Sequence, residues 1–96
     1  MTILNQDRDE IFTLTDKGLL KSNIYIKVAY FQGQLMGYNI IGKRLFKEKI
    51  LGTYDESEAQ QIIQEIYKLM RYGVSYYSMP NPTLDLEELG VNLWSG

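Results

Sequence analysis

Residues 51–73, LGTYDESEAQQIIQEIYKLMRYG, decide the fold. They read as the end of a strand, a capped helix start, about four turns of amphipathic helix and a glycine stop. Asp55 is the expected N-cap, because its carboxylate can accept a bond from a backbone N–H that the helix leaves unpaired. Glu58, three residues on, completes an Asp-started capping box, and Tyr54 and Ala59 hold the two positions of a hydrophobic staple. Ala59, Ile62, Ile63, Ile66 and Met70 recur at helical spacing and form one apolar face. Asp55, Glu56 and Glu58 open the helix and Lys68 and Arg71 close it, as the macrodipole favours. Gly73 suits the left-handed position just past the end.

Around this helix stands a chain of 96 residues, 45% hydrophobic and 23% charged, enough for one globular domain with its own core and too short for two. It has no cysteine, which removes disulfides, zinc–thiolate sites and thiol nucleophiles together. It has no histidine, so the usual general base at neutral pH and the commonest metal ligand are also missing. The first ten residues lack a basic region followed by an apolar run, and no apolar stretch approaches the ~20 residues that cross a bilayer. The expectations are a cytoplasmic address and no membrane partner. Charge is uneven beneath a net −2: residues 17–49 carry Lys17, Lys21, Lys27, Lys43, Arg44, Lys47 and Lys49 against Glu48 alone, while both flanks are acidic.

The remaining segments read mostly as strands. Residues 2–4 and 10–14 suggest a hairpin around a turn at 5–9, and 16–18 break the chain. Residues 19–22 fit either a short helical turn or a connection. Residues 23–31 alternate, with Ile24, Ile26, Val28 and Tyr30 on one face and Tyr25, Lys27, Ala29 and Phe31 on the other. Gln32 and Gly33 form a tight turn into a strand over 34–41, where Gly37 marks a bulge or a close backbone approach. A turn at 42–44 leads to a strand over 45–51 and then to the helix. Residues 74–79 are a short last strand ended by Pro80, and Asn81, Pro82 and Gly90 bracket a short helical tail. The fold class expected is α+β: one antiparallel sheet of four to six strands, a hairpin plus a three-stranded meander, with one helix on a face and a short C-terminal helix. The domain spans 1–96, with its core in 1–79 and a tail in 80–96.

Candidate chemistry is sparse. Asp7, Asp9 and Glu10 could bind a cation, but acids in a hairpin turn serve local hydrogen bonds far more often. Gly42-Lys43-Arg44 lacks the upstream glycine and the following Ser or Thr of a phosphate loop. Ser22, Ser57, Ser75, Ser78 and Ser95 have no histidine to serve as base. The sequence calls for no cofactor and no metal. Two features remain. Lys43, Arg44, Lys47 and Lys49, interleaved with Phe46, can meet an acidic protein, stack on and neutralise a nucleic acid, or simply protect an edge strand, with Lys47 and Lys49 on one face and Glu48 on the other. Eight tyrosines are many for this length, and Tyr72, Tyr76 and Tyr77 gather after the helix; Tyr76 and Tyr77 must face opposite ways, so only one enters the core. Trp94 is either an anchor for the tail or an exposed contact.

The run from Ile50 to Ala59, continuing to Ile62, Ile63, Glu65 and Ile66, resembles a segment of small uncharacterised proteins of Gram-positive bacteria and their phages, in which an LGxY strand end precedes an acidic helix start. The opening residues 3–7 followed by Ile11 and Phe12 are similar to the N-terminal hairpin of those proteins. The resemblance covers about half of the chain, its motifs are structural, and it carries over no functional residue. It implies a setting among small cytoplasmic proteins of bacterial or mobile-element origin.

The expected function is a non-catalytic protein that binds another protein, with an inhibitor of a host defence protein as its concrete form in a phage setting. Its contacts would come from Lys43, Arg44, Phe46, Lys47, Lys49, Tyr72, Tyr76, Tyr77 and Trp94. Nucleic-acid binding by the basic strand is the second class, and a structural homodimer joined at a strand edge is the third.

Overall fold

A computed structural model describes residues 1–16 and 21–81. The chain runs β1 (Thr2–Leu4), β2 (Ile11–Thr13), β3 (Ser22–Phe31), β4 (Gln34–Arg44), β5 (Lys47–Tyr54), α1 (Glu56–Arg71) and β6 (Tyr76–Ser78). The α+β class and the meander are as expected. The single sheet is not. There are two sheets of three strands, one ordered β3-β4-β5 and the other β2-β1-β6. The small sheet is also mixed, because β6 runs parallel to β1. The 16-residue α1 lies between them in sequence and returns the chain to the edge of the first hairpin, a long connection that permits a parallel pairing. The helical tail and the 19–21 portion of the ambiguous connection fall largely on residues outside the described ones.

The helix forms as its sequence dictates. Asp55 sits in extended conformation and accepts the Glu58 backbone N–H at 2.7 Å. At the other end Gly73 takes φ +83°, its N–H donates to the Met70 carbonyl and that of Val74 to the Leu69 carbonyl, which completes a Schellman stop. Ala59, Ile62 and Ile66 are buried, while Ile63 and Met70 are half-buried against the same core. This face packs on β3, β4 and β5. The core continues into the small sheet through Ile3, Phe12 and Leu14, and through Met79 beyond it.

Two close approaches set how the sheets meet. Gly42 lies under the ring of Phe12, and a Cβ there would stand 2.8 Å from Phe12 Cε1. Gly37, at φ +151°, fulfils both expected roles: β4 carries a bulge between its pairings Ala29↔Gly37 and Tyr30↔Leu35, and a Cβ at 37 would fall 3.1 Å from the Tyr54 carbonyl oxygen. Asn5 holds the first turn: its Oδ1 accepts the N–H groups of Asp9 and Glu10, and its Nδ2 donates to Asp9 Oδ1 at 2.8 Å. Asp9 thus serves the turn, and Glu10 serves both the turn and the sheet contact, pairing with Lys49 at 3.0 Å. No helix among the described residues is long and apolar enough to cross a membrane.

Candidate functional site

The basic segment folds differently from its sequence reading, and the difference exposes it. The turn is not at 42–44. β4 continues through Lys43 to Arg44, and the reversal falls on Leu45 and Phe46. The reason lies in the core: Gly42 is needed in the strand, where Phe12 packs on it, so the hydrogen-bonded ladder extends two residues further. A two-residue hairpin loop favours Asn-Gly or a similar polar pair, because at least one position takes positive φ. Here Leu45 adopts φ +56° and Phe46 is 99% exposed.

Strand register distributes the cations around this tip. Arg44 stands directly opposite Lys47, and Lys43 opposite Glu48. Like charges facing each other across a ladder destabilise it. Glu48 is held on the other face by Tyr25, whose hydroxyl donates to it at 2.5 Å, and by Lys27 at 3.7 Å. The Tyr25 hydrogen bond, then the Lys27 charge, keep the Glu48 carboxyl below its usual range. Lys49 turns inward to Glu10 and ties the two sheets together, so it leaves the tip. The structure therefore gathers Arg44, Phe46 and Lys47 with Leu45, a residue the sequence reading did not single out, and separates from them Lys43, which faces Glu48 on the other side of the sheet, and Lys49. Lys47 and Lys49 share a face with Glu48 on the opposite one, as alternation requires.

The tyrosines do not form one patch. Tyr77 packs against the core and its hydroxyl donates to Glu65 at 3.4 Å; burial pushes its phenol up to about 12. Tyr76, its neighbour, is exposed on the other face, and Tyr72 is exposed at the helix C-cap. Trp94 lies outside the described residues. Burial also raises the phenol of Tyr54, whose hydroxyl donates to the Pro80 carbonyl at 2.5 Å.

A second exposed surface went unread in the sequence. The β3–β4 hairpin extends past the end of β5, whose pairing to β4 stops at Tyr38↔Tyr54. Beyond it lies an arm closed by Gln32 and Gly33, both at positive φ. Tyr30, Phe31, Leu35 and Met36 on this arm are each between 52% and 69% exposed. A signal was present: from Val28 to Gly42 there is no charged residue.

Among the described residues no three His, Cys, Asp or Glu side chains come together in a way that could hold a metal ion. Comparison with family models, with curated proteins and with solved structures finds no match for this chain.

Proposed function

We propose that this chain is a non-catalytic binding protein that docks the β4–β5 tip onto an acidic surface of another protein, with Phe46 and Leu45 entering an apolar depression there. The observation that carries the reading is the tip itself. A leucine at positive φ and a pair of cations set face to face each cost stability, a phenylalanine in full contact with water contributes none, and all three fall within four consecutive residues. Local rules broken together without a gain inside the molecule mark a surface used outside it. Aromatic and arginine anchors of this kind dominate the energetics of protein interfaces. The resemblance to small proteins of Gram-positive bacteria and phages makes a cytoplasmic host protein the natural partner, inhibited by occupation of its surface.

A second reading follows from the same residues: an exposed aromatic among cations can stack on a base while Arg44 and Lys47 meet phosphates. A photo-crosslinking amino acid at position 46, expressed in a Gram-positive host, separates the two. The expected result is an adduct to one acidic protein, absent with the crosslinker at Gln61 on the solvent face of α1 and lost in Arg44→Glu/Lys47→Glu. A nuclease-sensitive adduct moves the function to nucleic acid. The same adducts from both positions overturn the tip as the site.

A further inference from the structure

We infer that the hollow beside the β3–β4 arm takes the β4–β5 tip of a second copy, so that copies of this chain associate tip to hollow. The inference rests on the reading of the tip as a docking element and adds an occupant for the other end of β4. The hollow has a volume of about 620 Å³, within the range of clefts that hold a ligand. It opens where the β4–β5 ladder stops at Tyr38↔Tyr54, which leaves residues 34–37 without a ladder partner on that side among the described residues. Leu35 and Met36, 52% and 61% exposed, form its apolar wall with Tyr38. β4 itself brings no charge to this end; the charge comes from Asp7 in the first turn and from Asp55 and Glu58 at the start of α1. Among the described residues no lysine or arginine lines the hollow, and Arg8, next to Asp7, donates to Ser78 instead. The Glu56 carboxylate beside Tyr38 adds to the negative potential and raises that phenol above the usual tyrosine range.

The occupant follows from complementarity. Asp55 has a local duty as the helix cap, but the Asp7 side chain has no hydrogen bond or ion pair with any described residue. At the tip, the side chains of Arg44 and Lys47 have none either. Each end thus holds charge that its own molecule leaves unpaired, opposite in sign, beside apolar side chains that its own fold leaves in water: Leu45 and Phe46 at the tip, Leu35 and Met36 at the hollow. The two cannot meet within one molecule, because the strand from Leu35 to Arg44 holds them roughly 30 Å apart. Between two molecules they fit: Leu45 and Phe46 of one copy enter the apolar side of the other's hollow, with Arg44 and Lys47 over its acids. A contact between unlike surfaces closes into a ring or runs on as an open chain. It is also small. Leu45 and Phe46 bring on the order of 300 Å² of apolar side chain, well below the ~800 Å² per partner of a standard stable interface. The association is therefore weak and reversible, and it leaves the tip able to exchange onto another acidic partner.

The test uses the full chain in sedimentation equilibrium from low micromolar to millimolar concentration, where the mean mass should climb above that of a monomer. Arg44→Glu/Lys47→Glu and Asp7→Lys/Met36→Lys should each raise the apparent dissociation constant about tenfold or more, because like charges then face each other. Mixed in equal amounts, the two variants should associate again, since an intact tip then finds an intact hollow. A protein monomeric throughout, association that survives either pair of substitutions, or mixing that restores nothing overturns the inference. A photo-crosslinking amino acid at position 36 reads the occupant with every charge in place, in the pure chain and in the Gram-positive host. Adducts to residues 44–47 of a second copy are expected; adducts to residues 82–96 of the same chain, or to a different protein, overturn the inference. Capture of an acidic protein at position 46 by a chain that is monomeric when pure overturns this inference alone. Association of the pure chain without such capture overturns only the function proposed above, so the two fail separately.

Discussion

Replacing Leu45-Phe46 by Asn-Gly should make the protein more stable and less functional at once. Leu45 at φ +56° carries a steric penalty of about 1–2 kcal/mol that Asn tolerates far better. Phe46, fully exposed, has no burial to lose. Lys47→Glu would turn the repulsive pairing with Arg44 into an attractive one, adding roughly 0.2–1 kcal/mol. Adjacent substitutions are not strictly additive, so the triple variant should gain about 1–2 kcal/mol. In a domain of this size that raises Tm by roughly 4–8 °C per kcal/mol, in a direction opposite to most point mutations. Calorimetry reads the stability and position-specific capture of the acidic partner reads the function. A fall in Tm would refute the reasoning: it would mean that Leu45 and Phe46 contribute to the fold, and the tip would lose its claim to be a site.

Other expectations concern the frame. Ile66, fully buried on α1, should cost about 2–5 kcal/mol when cut to Ala in urea unfolding, and the half-buried Ile63 distinctly less; Ile66→Asp should not fold at all. Equal losses at 63 and 66 would contradict the placement of the helix. Gly42→Ala drives a methyl into the buried Phe12 ring and should cost about 1–3 kcal/mol, with partial rescue in Gly42→Ala/Phe12→Leu; absence of rescue would separate the two residues. The Tyr77 phenol, raised from 10.0 to about 12, gives stability that is complete below pH 10 and lost as pH rises through 12. The urea midpoint should therefore fall across that window, and less steeply in Tyr77→Phe.

The helix was legible because every signal in it is local: a cap three residues from its donor, an apolar face within four turns, a glycine at the stop. Gly37 was legible for the same reason, since a glycine inside a strand pattern has few uses. The β4–β5 turn was misplaced because Gly42 and the cations after it look like turn chemistry. Gly42 is instead a strand residue whose missing side chain makes room for Phe12, thirty positions earlier, and no local pattern reports such a contact. The split into two sheets was likewise invisible, because Thr2↔Tyr76 joins the ends of the described core in a parallel pairing that neither segment announces. Of the candidate site, the cations and Phe46 were visible as a set, but only register shows that Lys49 leaves it for Glu10 and that Leu45 joins it.

The two exposed ends of β4 have one geometrical origin. Eleven strand residues span about 36 Å, whereas the sixteen of α1 span about 24 Å, so the helix cannot cover the strand from end to end. A sheet that overruns its helix leaves apolar face in water unless its ends are made polar, and this chain makes neither end merely polar. One end carries cations around an exposed phenylalanine, the other no charge at all. Raising sodium chloride screens Arg44 and Lys47 from an acidic surface. A sodium chloride titration should thus weaken capture at the tip. If capture strengthened with salt instead, the tip would be acting through Leu45 and Phe46 alone, and its cations would be ordinary protection of an edge strand.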